Sequence, residues 1–341
     1  MVTRSYTNDF EVVDQTQALQ RIPQVRTLLG DSGLFSVEPI TTRTVTFQEH
    51  NGTLAIVNDQ VLGYKPNTIS NDLRKLHSYT TTHHPIMDAL YPQDIVGKSA
   101  YNDLNQADTE AAAILRKMIK IKRSFAVTQE IYRFKTLSTG AIYTPNGTIA
   151  SENFYASYGL TRNEVDFALN VGTTDVIAKC EAIIAGFQSS ASEGEMITGV
   201  TAYCSTGFFS KLIAHAKVSA SYLYQQSFNG NANILQERAG GMGLYRRFSF
   251  GGIDFIEVPT ILAGEALVPA GDAIFVARGV DDAFTTFVSP ANRFGYENTF
   301  GELEYMWTFR DPRGTEITIE AESNFVNVLR KPNLVARGYT A

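Results

Sequence analysis

Hydrophobic and polar positions follow three patterns along this chain. The longest regular one covers residues 98–139, which no Gly or Pro interrupts while Gly97 and Gly140 close it on either side. Within it Ile114, Met118, Ile121, Phe125 and Tyr132 recur at helical spacing, with Leu115, Ile119 and Ala126 beside them and Thr128 the one weak step. This pattern predicts a helix over 108–134, roughly 40 Å long at 1.5 Å per residue. Asp108 or Asn105 can cap its start, and Asp108 with Glu110 sets acid at the positive end of the helix dipole. Arg116, Lys117, Lys120 and Arg123 take the opposite face. A helix with one apolar stripe draws its stability from packing more than from propensity, so it needs a larger surface to lie on.

The second pattern is strict alternation, and it occurs twice. Residues 42–50 alternate around Val45 and Phe47, Asn51-Gly52 follows, and 53–57 returns. Asn-Gly between alternating runs predicts a two-residue primed turn, pairing Phe47 with Ile56 and Gln48 with Ala55. Residues 58–84 are then polar, with an exposed bend at 63–67, and a hairpin with so long an excursion is expected to reach another subunit.

Near the end of the chain, Leu303, Tyr305, Trp307 and Phe309 alternate with polar positions, and so do Ile317, Ile319 and Ala321. A three-residue loop, Pro312-Arg313-Gly314, pairs Phe309 with Ile317, Trp307 with Ile319 and Tyr305 with Ala321, and gives Gly314 the left-handed position. The Trp307 face then becomes the bed for the long helix. In that register Glu302, Glu304, Glu320 and Glu322 share the polar face, with Glu304 opposite Glu322.

The third pattern, over about 170–285, is a compact α/β alternation: helix 174–187, strand 198–204, helix 206–225, strand sequence 246–258 around Gly251-Gly252, and strand 273–277. Residues 140–148 read as a strand and turn. Residues 1–40 read as an arm with short helices at 16–21 and 23–29, too poor in apolar residues to fold without docking on something else.

Composition narrows the function classes. The charged fraction of 19% is below the usual figure of about 25%, which favours a surface that meets other protein. A net charge of −6 with no polycationic tail argues against sequence-specific nucleic-acid binding. The two cysteines, Cys180 and Cys204, lack a zinc or redox spacing and read as buried free thiols. The start of the chain leads into polar sequence without a signal peptide, and no apolar run is long enough to cross a membrane, so a soluble protein made in a cytoplasm is expected.

Candidate chemistry is sparse. His83-His84-Pro85 with Asp88 lacks a second ligand cluster and reads as a loop before a helix. Gly240-Gly241-Met242-Gly243 has neither a leading strand nor a following Lys-Ser/Thr pair, so it reads as a loop rather than a phosphate cradle. Ser205 reads as a helix cap, since no nucleophile elbow surrounds it. No constellation carries catalysis, and no cofactor or metal is expected.

Six short motifs stand in order along the chain: Phe248-Ser249-Phe250-Gly251-Gly252-Ile253-Asp254-Phe255, Pro269-Ala270-Gly271-Asp272-Ala273, Val288-Ser289-Pro290-Ala291, Asn298-Thr299-Phe300-Gly301, Glu322-Ser323-Asn324 and Lys331-Pro332-Asn333-Leu334-Val335. With these motifs, and with an arm, an extended hairpin, a long helix on a hairpin bed and a separate α/β lobe, the chain from about residue 41 onward resembles the lambda-type major capsid proteins of tailed phages, the major capsid protein E family. Phe325 stands where the family usually has Pro.

The resemblance implies an α+β chain with the Hong Kong 97-type capsid fold. Residues 1–40 become the N-terminal arm and 41–84 the extended loop. Residues 85–170, with the spine helix, and 286–341 form the peripheral domain, and 171–285 the axial domain. The implied function is self-assembly into hexamers and pentamers of an icosahedral shell around double-stranded DNA. Scaffolding, portal and decoration proteins would be its partners, and assembly would take place in the host cytoplasm. Assembly contacts are expected at Arg43, Phe47, Tyr64 and Lys65. Arg116, Lys117, Lys120 and Arg123 are left for a neighbour or the packaged DNA. Lys65 resembles the crosslinking lysine of some proteins of this fold, but the lambda-like branch implies no crosslink. The competing expectations are a tail or baseplate protein and, further off, an α/β enzyme centred on 171–285.

Overall fold

A computed structural model of the chain describes residues 13–22, 27–51, 73–96, 99–100, 103–107, 109–191, 196–221 and 245–340. Two six-stranded sheets and one long helix organise them. The helices are α1 (Thr16–Arg21), α2 (Leu28–Asp31), α3 (Glu110–Thr139), α4 (Phe154–Tyr158), α5 (Val176–Ser190) and α6 (Thr206–Ala214).

The first sheet is built around the strand Ile317–Leu329. Tyr305–Arg310 and Phe284–Val288 pair with its two ends, Thr82–Leu90 pairs along Ile317 to Phe325, and Val13–Asp14 and Ser36–Pro39 add the margins. Thus the His83-His84-Pro85 stretch lies in an edge strand, contrary to the loop expected from Pro85. An edge strand tolerates a residue without an N–H.

The returning hairpin differs from its expected register by one residue. Met306 faces Ala321, Thr308 faces Ile319 and Trp307 faces Glu320. Asp311 is the cause: its carboxylate accepts the Thr315 hydroxyl at 2.8 Å and the Arg313 amide at 3.3 Å, so the loop closes between Asp311 and Glu316. Gly314 keeps the expected left-handed conformation, φ 68°. As a result the bed of α3 is Met306, Ile319 and Ala321, packed on Met118, Ile121 and Phe125. Trp307 and Tyr305 stack on each other on the other face, with Tyr296 edge-on to both. Both faces of this strand are apolar, so alternation alone did not select the inner one.

The second sheet runs Arg247–Phe250, Ile253–Glu257, Gly199–Cys204, Asp272–Arg278, Val335–Tyr339, Asn163–Asp166. Its first hairpin turns at Gly251 and Gly252, both with positive φ, as a two-residue primed turn requires. Val335–Tyr339 and Asn163–Asp166 join this sheet although they lie outside the 171–285 stretch assigned to the α/β lobe. Ser205 caps α6 as expected: its Oγ lies 3.4 Å from the Phe208 nitrogen, whose N–H it accepts. That helix breaks at His215, which turns extended, and helical backbone resumes over residues 216–221, within the expected 206–225 span. Cys180 and Cys204 are buried free thiols, and burial pushes the Cys180 thiol up to about 12.

Helix α3 joins the two sheets. Thr109 rather than Asp108 or Asn105 caps it, accepting the Ala112 N–H at 3.3 Å, and Gly140 ends it at φ 66°. Its first half lies on the first sheet, whereas Ile131, Phe134 and Leu137 enter the larger core that includes Tyr203 and Phe275. The Phe134 ring meets Tyr203 edge-on with centroids 5.6 Å apart. Residues on one helix thereby belong to both cores.

Candidate functional site

Three flanks of α3 do three different things. The apolar stripe lies on the first sheet. A second flank carries Lys122, Glu130 and Arg133, all buried, and faces the N-terminal arm. The Lys122 ammonium donates to the carbonyls of Leu19 at 2.8 Å and Ile22 at 2.6 Å, at the end of α1. The Glu130 carboxylate accepts the Leu29 N–H at 2.7 Å and the Gly30 N–H at 3.3 Å, in the first turn of α2. The Arg133 guanidinium stands 5.5 Å from the Phe35 ring centre. Helical spacing does carry a trace of this: Lys122 is four residues after Met118 and three before Phe125, inside the apolar stripe. Reading charge as solvent-facing hid it.

The third flank carries the basic residues singled out in the sequence. Lys120 and Arg123 are exposed, and Arg116 is half-buried. Lys117 is committed within the subunit, donating to Asp88 and to the Ala89 carbonyl, each at 2.8 Å. Asp88 is held below its usual range, because the bonds from Lys117 and the Ala89 amide outweigh its partial burial.

The acidic set does not share one face. Glu320 pairs with Arg293, whose guanidinium covers Trp307 at 4.2 Å, and Glu322 accepts the Asn292 N–H at 2.6 Å. Glu304 lies on the helix side, buried near Lys122. Burial pushes its carboxyl from 4.5 up to about 7, against the pull of the Lys122 cation. The folded chain therefore holds a proton that the unfolded chain releases, and this contribution fades as pH rises from 4.5 through 7. Glu304→Gln is expected to raise stability by about 2 kcal/mol at pH 8 and to change it little at pH 4.5. Urea titrations at the two pH values read this directly, and an equal change at both would contradict it.

Thr44–Asn51 forms a ladder with Leu73–Thr80, in which Phe47 faces His77. Gly52 and residues 53–57, on which the expected turn and the Ile56 pairing fall, lie outside the described residues. Phe47 is half-buried against His77 and Tyr79, with Tyr79 edge-on to Phe154 and His77 stacked on Tyr158. Arg43 is exposed, and its carbonyl accepts the Thr81 N–H at 2.9 Å. Tyr64, Lys65 and the Gly240–Gly243 run lie outside the described residues. The ladder pairs with no other strand among the described residues, and Leu76 on it is 67% exposed.

The loop from Ser289 to Glu304 is tightly held yet presents two aromatic rings to solvent. Tyr296 donates to Asp14 at 2.5 Å, and a Cβ on Gly301 would lie 2.2 Å from the Val288 carbonyl oxygen. Phe294 is nevertheless 96% exposed and Phe300 70% exposed. A rigid loop with exposed aromatic rings suits a contact surface. Among the described residues no group of three or more His, Cys, Asp or Glu could hold a metal, and no helix is long and apolar enough to cross a membrane.

Two packed sheets bridged by one long helix, with an arm and a separate ladder, make up the Hong Kong 97-type capsid fold, a shell-building architecture. The capsid protein of cyanophage P-SCSP1u superposes with a TM-score of 0.56 at 10% identity, over 94% of this chain and 89% of that one. A Mycobacterium phage Bobi structure gives 0.51 at 12% identity, over 100% and 96%. The major capsid protein of Pseudomonas phage KPP10 is 35% identical, aligned over 99% of both chains, and that of Salmonella phage Felix O1 is 24% identical over 98% of this chain and 97% of its own. The profile described as phage major capsid protein E matches residues 11–340. The chain belongs to that family, and its function is to form the shell of a tailed phage.

Proposed function

We propose that the subunit closes hexamers and pentamers by laying its extended loop on a neighbour. The observation that carries this is the Thr44–Asn51 and Leu73–Thr80 ladder. Its base is fixed by Phe47, His77 and Tyr79, while the ladder itself has no third strand among the described residues. A strand pair with free edges gains stability by adding to, or lying on, another surface.

On this reading residues 1–40 are the arm and 41–84 the extended loop. Residues 85–162 with 284–334 form the peripheral domain, and 163–283 with 335–341 the axial domain. This boundary follows sheet membership, which takes Asn163–Asp166 and Val335–Tyr339 into the axial sheet. Phe294 and Phe300 meet a second copy of the chain, and Lys120 and Arg123 meet a neighbour or the packaged duplex without sequence preference. A net charge of −6 keeps such duplex contact weak, which suits a shell that must release its DNA.

Scaffolding, portal and decoration proteins complete the particle, which assembles in the host cytoplasm. Electron microscopy of the chain expressed with its scaffolding partner tests the reading. Closed shells or capsomers are expected. Rings or tubes would point instead to a tail component, and only small uniform oligomers would count against assembly altogether.

A further inference from the structure

We infer that Lys122 and Glu130 are the positioning residues that hold the N-terminal arm on the long helix in one register and one polarity. Both are buried, at 4% and 3% exposure. An isolated charge is expensive to bury, so each needs compensation. They do not supply it to each other. Eight residues apart on one helix, they stand about 12 Å from each other along its axis.

Most of the compensation comes from the arm's backbone, with the Thr27 side chain adding a hydrogen bond to Glu130. Lys122 meets the carbonyls of Leu19, which also accepts the Ile22 N–H, and Ile22 at the end of α1, where carbonyl lone pairs remain. Glu130 meets the amides of Leu29 and Gly30 at the start of α2, where N–H groups are left over. Each charge has the sign that its helix end favours. Running the arm in the opposite direction would set the cation on amides and the anion on carbonyls. Sliding it by one residue would take each backbone group out of reach.

The remaining groups around this flank fit the assignment. Glu304 faces Lys122 from the first sheet, and Arg133 faces Glu130 on the same helix and covers Phe35 of the arm. Leu19, fully buried, packs beside Met118 and Ile121 and adds adhesion without choosing a register by hydrogen bonding. Recognition through backbone groups also makes docking insensitive to most arm side chains. Surface residues of α1 can vary without moving it.

Hydrogen exchange on the full-length subunit tests this. In Lys122→Met, which keeps a long side chain but no donor, exchange at Ile22 and its α1 neighbours is expected to rise at least tenfold. Leu29, Gly30 and the strand Ile317–Leu329 should stay as they were. In Glu130→Gln, whose amide group confronts a backbone donor, the tenfold rise is expected at Leu29 and Gly30 and not in α1. Lys122→Arg, which restores a donor, should return most of the α1 protection.

Unchanged arm protection in both variants would overturn the assignment. So would a loss spread evenly over the chain, or a failure of both variants to fold, since either result would make the two charges general supports of the core.

Discussion

Deleting residues 58–65 is expected to leave a folded subunit and to remove closed shells from the products of assembly. The two strands that flank the segment explain why folding survives. Thr44–Asn51 and Leu73–Thr80 pair through eight residues each, and the chain between them is joined at the far end of that ladder. Their base is set by contacts outside the deleted stretch: Phe47 on Tyr79, Tyr79 on Phe154, His77 on Tyr158, and the Thr81 hydroxyl 2.9 Å from that of Ser289. Lengthening or shortening a surface connection costs little, because closure entropy changes slowly with length.

Assembly responds differently. Each subunit in a shell makes the same contacts many times, so loss of one modest interface is repeated at every copy. The deleted subunit should match the full chain in circular dichroism and in urea midpoint. Closed particles in negative-stain micrographs should fall by at least about a hundredfold, as removal of one interface worth about 3 kcal/mol per subunit implies. Normal shells from the deletion would overturn the assignment of 41–84 as the extended loop. A subunit that no longer folds would place those residues in the core instead.

The sequence made the long helix legible because its period is carried by large side chains at unbroken spacing, and helical order is local. The Ser205 cap was legible for the same reason, since it depends on a few neighbouring residues whose backbone requirement is visible in their identity.

Pairing between distant segments was not legible. Residues 42–50 alternate in a way that any alternating partner satisfies, and Asn51-Gly52 offered a nearby one. The partner found in the fold, Leu73–Thr80, supplies His77 and Tyr79 to Phe47, whereas 53–57 has no aromatic residue to offer. Similarly, the final hairpin carried two apolar faces, and only the side-chain bonds of Asp311 decided which of them met α3.

The buried charges were the deepest omission. Lys122, Glu130 and Arg133 are residue types that normally face water, and their partners are backbone atoms of an arm about a hundred residues away. Only Lys122, which falls inside the apolar stripe between Met118 and Phe125, is set apart from Lys120 and Arg123 by local spacing, and Glu130 and Arg133 are not. The candidate assembly residues shared this fate in part, for Lys117 is held by Asp88 and Phe47 by the ladder base, while Lys120 and Arg123 stay exposed.

Phe134→Ala is expected to cost about 3–5 kcal/mol of stability, near the top of the range for a single core truncation. The ring is fully buried in the larger core, edge-on to Tyr203. Phe125→Ala, nine residues earlier on the same helix, removes an equally buried ring from the core of the first sheet. If α3 makes one cooperative unit of the two sheets, both variants should unfold in a single urea transition, each with a lowered midpoint and an unchanged slope. Tryptophan fluorescence follows the first sheet through Trp307, which lies in the small cluster with Tyr305 and Ala291. Far-ultraviolet circular dichroism follows the whole chain, so the two signals should coincide for either variant. Separate transitions in Phe134→Ala, with Trp307 reporting the later one, would show that the helix carries two independently stable halves. A loss under about 1 kcal/mol would show that the second core closes around the missing ring. In a shell, a helix that couples the two units would transmit strain at one domain's contacts to the other, so Phe134→Ala subunits should also form shells that break at lower urea than full-length ones.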